Sequence, residues 1–418
     1  MQILFIICLL FISNDTYLNK LDIIGNKHTK SNIIEREVLH LIPSKYDSII
    51  ANEDRNRIYN LGIFSTVKVY PKDSIYTIEL VETIRFIPIP LVNYDEGKGI
   101  SYGFGFANLN FRGLNEKLII GGIKGVEEMY FINFLNPWIY GHRGSIYSNF
   151  YQLAIQSNVY NVKYKINGFE IGTGSNKGTK HSYNFSTGWK FYQINSTPIR
   201  TLQYDKFIIS DYKSLYKYII STFKYKYDSR DIYIDPTKGS LLIIKAEPKL
   251  AINSIPNRFN LNILYKKYIS LNNIIFDPVF SIKSQILIKS TNQLPPFEIE
   301  YLGGENYVRG YSPVIQKNPI KIQKKIKDTS QLVYQNFELQ HTLIKRKDYS
   351  KIEVGIDLAY FLDMGLASNK ISSFKITNLI LGYGFGLRFF LSGLGNIHLD
   401  IGFNPYGTYF VHPREGQN

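Results

Sequence analysis

One arginine in this chain is set apart by its surroundings. Arg309 lies in Leu302-Gly303-Gly304-Glu305-Asn306-Tyr307-Val308-Arg309-Gly310-Tyr311, where three glycines fall within eight residues. Glycine at that density suits neither a stable helix nor a central strand, so the segment is expected to be a loop. A loop that only reversed the chain would have no need of Val308-Arg309-Gly310-Tyr311. The segment, with Gly303 and Gly304, is therefore read as built to carry Arg309 to a particular place. Candidate partners are Asp363 and Asp400, with Arg388 near them in the same part of the chain. A guanidinium fork can donate two charge-assisted hydrogen bonds to one carboxylate. In a partly desolvated interior such a pair would hold the loop folded inward. The residues alone equally admit solvated charges with no fixed partner. Covalent chemistry has no comparable constellation. His181 and His398 lack an acid and a nucleophile at informative spacing, and Ser229 sits in a loop between Asp228 and Arg230. No catalytic set, metal centre or cofactor site is expected.

The elements that must position these ions are strands. Leu381, Tyr383, Phe385, Leu387 and Phe389 fall on one face of a period-two pattern, with Gly382, Gly384, Gly386 and Arg388 on the other. Ile397, Leu399, Ile401 and Phe403 likewise oppose His398, Asp400 and Gly402, and Ile352 to Met364 alternates with Asp363 on its polar face. One face is aliphatic and aromatic throughout; the other is glycine with isolated charges. That suits a barrel with lipid outside and a polar lumen, where only closure removes the sheet edges. Spanning strands need ~9–11 residues, and roughly twenty residues per strand and connection fit about sixteen strands after residue 84. The 33 Tyr, 27 Phe and 31 Gly agree with an all-β membrane protein. A soluble β-sandwich is the alternative.

Ahead of the strands lies a smaller unit. Ile3 to Ile12 is an apolar run too short to span a membrane and of signal-peptide length, so residues 1–16 are expected to be an export signal. Its Cys8 is the only cysteine, and a mature chain without it has no disulfide. Residues 17–83 read as β-α-α-β-β: a strand from Leu18 to Ile24, a helix capped by Thr29 or Ser31, a second capped by Asp47, and two alternating strands, Phe64–Tyr70 and Ile75–Val81. Pro88 and Pro90 mark the connector. The net charge of +15 is spread along the chain, which disfavours nucleic-acid binding. The denser run Lys321–Lys327 reads as a solvated loop. Anionic lipid remains a partner class compatible with the charge.

Several motifs, in order, resemble the outer-membrane protein assembly factor superfamily, which includes the BamA-like and surface-antigen-type proteins. Ile23-Ile24-Gly25-Asn26-Lys27-His28-Thr29, Asn60 to Val69 and Leu80-Val81-Glu82 resemble one POTRA module. Phe106-Ala107-Asn108-Leu109-Asn110-Phe111-Arg112-Gly113 resembles the first barrel strand and turn, and Asn136-Pro137-Trp138 a recurrent Pro-Trp. Tyr227 to Asp231 with Asp235 to Gly239 resembles a mid-barrel strand–turn–strand element. Val308-Arg309-Gly310-Tyr311 is similar to the tip of the family's lumen-inserted loop. Phe361-Leu362-Asp363-Met364-Gly365 resembles the strand that supplies its acidic partner. Gly386-Leu387-Arg388 with Ile397 to Phe403 resembles the penultimate hairpin. Two departures stand out: one POTRA-like module, and a last strand with Pro413 and no terminal aromatic residue. A proline is best tolerated at a sheet edge, which predicts a weak seam between the last and first strands.

The resemblance implies a mainly β protein: a small α/β POTRA domain (17–83) in the periplasm, then a transmembrane antiparallel β-barrel (84–418) in the outer membrane. It implies insertion of unfolded outer-membrane protein clients by strand addition at the POTRA sheet and at a lateral seam, with accessory assembly lipoproteins as further partners. A polypeptide-secretion translocator of the two-partner type is the alternative. A passive porin would need neither residues 17–82 nor the Arg309 loop.

Overall fold

The computed structural model describes residues 16–95, 99–140, 144–156, 163–194, 215–253, 255–271, 277–290, 298, 301–312, 317–327, 330–349, 352–391 and 395–415. The apolar run at Ile3–Ile12 lies outside them. Residues 17–82 form a small mixed unit. Strand β1 (Tyr17–Leu18) pairs with β3 (Ser44–Lys45); β2 (Lys20–Ile24) lies parallel to β5 (Ile75–Glu82), which is antiparallel to β4 (Phe64–Lys72). Helices α1 (Ser31–Glu35) and α2 (Ser48–Tyr59) cover this sheet. Ile34, Ile58, Phe64 and Ile78 make the core. The Asp47 carboxylate accepts from the Ile49 and Ile50 amides and starts α2.

Two local expectations need correction. The strand read from Leu18 to Ile24 breaks at Asn19, whose amide donates to the Ser74 carbonyl and leaves the β1–β3 ribbon separate. Neither Thr29 nor Ser31 caps α1, whose N-cap is Lys30. The Thr29 hydroxyl is taken by Glu82, to which it donates at 2.6 Å. The Glu82 carboxylate also accepts from the Thr29 amide (2.7 Å) and the His28 amide (3.0 Å). Burial alone would raise its pKa, but these donors together hold it below the ordinary glutamate value. Stability from this contact is thus full above the unfolded glutamate pKa of ~4.3 and is lost as pH falls through the depressed folded value. Thermal melts of the whole chain between neutral and acidic pH should show an acid-side loss that Glu82→Gln reduces.

After residue 85 the described strands form one sixteen-stranded antiparallel sheet, so among the described residues the count matches the one expected from length. In order it comprises β6 (Phe86–Asp95), β7 (Gly99–Phe111), β8 (Glu116–Gly125), β9 (Glu128–Tyr140), β10 (Gly144–Gln156) and β11 (Lys163–Lys177). Then follow β12 (His181–Ile194), β13 (Leu215–Asp228), β14 (Gly239–Ala251), β15 (Arg258–Ser270) and β16 (Val279–Lys289). The last five are β17 (Gln331–Tyr349), β18 (Ile352–Ser368), β19 (Ile380–Leu391), β20 (Gly395–Phe403) and β21 (Tyr409–Glu415). Every neighbour pair is antiparallel and consecutive in the chain, and successive residues of each strand alternate between two faces. Tyr102, Phe104, Ile132, Phe223, Tyr383 and Phe385 lie exposed on one of them, an apolar outer belt.

The sheet curls back on itself. Strands β14 and β20 are six steps apart, roughly 29 Å if the sheet were flat. Yet Asn396 of β20 donates to the Ile234 carbonyl in the β13–β14 turn at 2.7 Å, and Arg346 of β17 pairs with Asp235 of that turn. The curl places that turn inside the ring of strands. It also meets the small unit: Asn60 donates to the Asp231 carbonyl and accepts from the Tyr233 amide, both at 2.9 Å. The two ends of the sheet, β6 and β21, do not pair with each other among the described residues. Pro413 lies in β21, opposite Leu399.

The charged run at Lys321–Lys327, expected as a solvated loop, is the helix α3 (Ile320–Lys327). It starts after Pro319, and Ile322 is buried against Leu302, Tyr311 and Leu332. The lysines hid an apolar anchor.

Candidate functional site

The segment from Tyr301 to Ser312, which comes after β16 in the chain, lies within the curled sheet. A short bridge between Gly303 and Val308, with the Gly304 amide donating to the Val308 carbonyl at 3.1 Å, makes a tight reversal. Leu302, Tyr307, Val308 and Tyr311 are buried against Leu287, Leu332, Tyr334, Ala367 and Ile380. This apolar packing seats the tip so that Arg309 is fully buried.

Arg309 is brought to both aspartates. Its Nε and Nη2 donate to the two oxygens of Asp363 at 2.7 and 3.0 Å, and its backbone amide donates to the same carboxylate at 3.0 Å. Its Nη1 donates to Asp400 at 2.9 Å and to Glu338 at 3.3 Å. The guanidinium carbon sits 3.4 Å from the Phe361 ring centroid, which adds a cation–π contact on a desolvated face. Arg388 completes the cluster, donating to Asp400 at 2.5 Å and to Glu338 at 3.1 Å. Asp363 also accepts from Tyr334 (3.1 Å) and Asn336 (2.7 Å). Two cations thus face three carboxylates; all but the loop's Arg309 are drawn from four successive strands, β17 to β20. A buried cluster of this kind is not by itself a source of large stability. Its worth is positional, because losing one member strands the others.

The backbone of the tip explains the glycine face of β19. A Cβ on Gly382 would lie 1.8 Å from the Arg309 carbonyl oxygen, and one on Gly402 would lie 2.3 Å from the Gly310 nitrogen. Those glycines form a groove into which the tip is pressed. Gly310 itself has φ +92, and a Cβ there would meet the Phe403 carbonyl at 2.3 Å, so the position is closed to other residues on two counts. Its amide donates to His412 Nε2 at 3.0 Å, and its carbonyl accepts from Asn404 at 2.5 Å. Tyr311 donates to the Leu381 carbonyl at 2.8 Å. The tip therefore touches the last strand, β21, as well as the wall behind it.

Sequence reasoning missed three members. Glu338 lies on the polar face of an alternating stretch, Tyr334-Gln335-Asn336-Phe337-Glu338-Leu339-Gln340, and that alternation was the available signal. Phe361 was legible as a lone aromatic ring on the lumen face beside Asp363. His412, next to Pro413, carried no signal of its own.

The ordered assembly of one loop arginine, an acidic strand and a curled sixteen-stranded sheet coincides with a family match over residues 110–409, to the Omp85 superfamily domain. The chain belongs to the Omp85 superfamily. It is an outer-membrane β-barrel family, and the fold agrees with solved members. A structure of BamA from Haemophilus ducreyi lacking POTRA domains 1–3 superposes with TM-score 0.58 at 16% identity, covering 96% of this chain and 83% of that one. CdiB from Escherichia coli superposes with TM-score 0.57 at 12% identity, over 95% and 74% of the two chains. CdiB from Acinetobacter baumannii gives 0.52 at 13% identity, over 94% and 72%. No curated protein matches the sequence.

Proposed function

We propose that this Omp85 chain inserts β-barrel proteins into the outer membrane, without covalent chemistry, by lending them a sheet edge. The observation that carries the reading is the seam: β6 and β21 end the sheet without pairing to each other among the described residues. Unsatisfied backbone groups cost several kcal/mol each, of order, in a bilayer. A client strand that pairs with β6 removes that cost while using only main-chain hydrogen bonds, so it can serve clients of many sequences. Residues 17–83 act as a POTRA-like module on the periplasmic side, where the outer edge of β2 takes the client first. Residues 84–418 form the barrel, preceded by a signal peptide at 1–16. The Arg309 cluster braces β17 to β20, so that motion concentrates at β21 and the seam. Partners are unfolded outer-membrane proteins, lipid and accessory assembly lipoproteins.

Depletion of the chain in its own cells, followed by quantitative proteomics of the outer membrane, tests this. A broad loss of β-barrel proteins is expected. Loss of a single secreted protein with the barrels intact would instead make the chain a secretion translocator of the two-partner type.

A further inference from the structure

At the foot of β6 a cation stands on the lipid-facing side of the barrel. Phe86, Pro88, Pro90 and Val92 share the outward face of β6, opposite Asn108, Phe106, Phe104 and Tyr102 of β7. That run on β6 carries no charge, and the Phe86 and Phe106 rings lie with centroids 5.6 Å apart. Directly before it in the chain, the Arg85 guanidinium carbon sits 4.6 Å from the centroid of the Phe86 ring. Two other arginines near this end of the barrel also stand over rings, Arg112 over Phe111 and Arg36 over Trp138. Each of those has a carboxylate beside it, Glu116 at 2.8 Å and Glu37 at 3.9 Å. Arg85 has none among the described residues, and its buried Nε has no acceptor there. Buried donors are ordinarily satisfied, and an unmade bond to a charged group is the most costly kind. Arg85 borders a cavity of about 600 Å³ where residues 17–82 meet the barrel, and shares it with Lys27, Val81, Ile84 and Phe86. Val81, Ile84 and Phe86 are exposed there, as is Lys27, which has no carboxylate partner among the described residues. The one carboxylate in the lining, Glu82, is already taken by the Thr29 and His28 donors.

We infer that this groove is a binding site for an anionic phospholipid of the leaflet nearest residues 17–83. Arg85 precedes the first residue of a spanning strand, so its charge lies at headgroup depth, where arginine and lysine meet lipid phosphates. Its guanidinium fork donates to two phosphate oxygens, and the Lys27 ammonium supplies a second charge. Ile84 and Phe86 take the glycerol region, and an acyl chain runs up the outward face along Pro88, Pro90 and Val92. A free phosphate or an acidic peptide would meet the cations but not the apolar run above them. A phospholipid joins both in one molecule. Because β6 is an end strand of the sheet, the lipid lies beside the seam. The inference needs only that β6 faces lipid, and nothing in it depends on what the chain does to a client.

The test places the full chain in phosphatidylcholine nanodiscs with a trace of phosphatidylglycerol that carries a diazirine on its acyl chain close to the glycerol. After illumination, the labelled residues are mapped by peptide mass spectrometry. Label should concentrate in residues 81–92 and should fall when unlabelled phosphatidylglycerol is added. The matching phosphatidylcholine probe should label that segment far less. Arg85→Gln should lower the phosphatidylglycerol label there about fivefold, the expectation for one cation lost at a headgroup surface. Lys27→Gln should lower it by a smaller factor, and its exposed side chain keeps the test available should Arg85→Gln fold poorly. Lys267→Gln, on the outward face of β15 opposite Ile282, should leave the label in residues 81–92 unchanged. Equal labelling by the two probes, or labelling indifferent to both Arg85→Gln and Lys27→Gln, overturns the inference. So does suppression by inorganic phosphate or by a short Glu/Ser peptide as complete as that by phosphatidylglycerol, which would make the groove a small-anion or peptide site. The readout involves no client assembly, so its failure leaves the proposed function untouched, and failure of that function leaves a positive labelling result standing.

Discussion

Arg309→Ala is expected to unseat the loop from the barrel wall. The substitution removes four side-chain hydrogen bonds to Asp363, Asp400 and Glu338, leaves only the one from the backbone amide, and removes the contact with Phe361. Asp400 and Glu338 then keep Arg388, and Asp363 loses its guanidinium and keeps Tyr334 and Asn336 among its donors. Breaking a buried charge cluster by removing one partner costs about 3–5 kcal/mol, because the survivors stay buried and uncompensated. That is a large share of what burial of Leu302, Val308 and Tyr311 contributes to seating the loop, at about 1.5–3 kcal/mol each, so the tip should leave its groove more often while the barrel persists. Chymotrypsin added to detergent-solubilised protein reads this directly, since Tyr307 and Tyr311 are buried in the seated loop. The variant should be cut at those tyrosines under conditions that spare the parent. Asp363→Ala should behave similarly, because Asp363 takes the bidentate fork and the loop amide. Arg309→Lys should fall between, since a single ammonium keeps the charge but cannot span Asp363 and Asp400 together.

Gly382→Ala is the second large effect, and it acts through shape instead of charge. The added methyl would sit 1.8 Å from the Arg309 carbonyl oxygen, well inside contact distance. The obstacle is backbone, so no side-chain rotation relieves it; either β19 shifts or the tip lifts. Overpacking of a tight site costs ~1–3 kcal/mol and more where the backbone must move. The same proteolysis assay should therefore show loop release with every charged residue intact. Gly386→Ala is a useful contrast. Its methyl would meet the Asp400 carboxylate at 2.0 Å, so its damage runs through the ion cluster and should be less than additive with Arg309→Ala.

Much of this site was legible in the sequence, and the reason is periodicity. Alternation across Leu381–Phe389 fixes which residues share a face, so Gly382, Gly386 and Arg388 could be placed on the lumen side from residue order alone. Register is a different matter. It decides that Asp363 stands opposite Gly382 and Asp400 opposite Gly386, and it depends on cross-strand packing that no single segment encodes. Glu338 was missed for that reason. It joins the cluster through β17, and its partners lie 29 residues before and 50 and more after it in the chain. The glycine face with its isolated charges reads from the sequence as the polar lumen side of a barrel; in the structure Gly382 and Gly402 are also the groove for the loop backbone. The helix at Ile320–Lys327 was hidden because five of its eight residues are charged or polar, and the burial of Ile322 comes from residues distant in the chain. Thr29 looked like a helix cap, and the competition of Glu82 for its hydroxyl comes from a strand 53 residues away.

We propose that a braced wall beside an open seam inserts client barrels, with Arg309 as the brace. It is tested most directly by the rate at which a denatured outer-membrane barrel folds into liposomes that contain this chain, read by heat-modifiable gel mobility. Folding faster than into empty liposomes, with most of the gain lost on Arg309→Ala, is the expected result. The same rate with wild-type chain, with Arg309→Ala and with empty liposomes would contradict it.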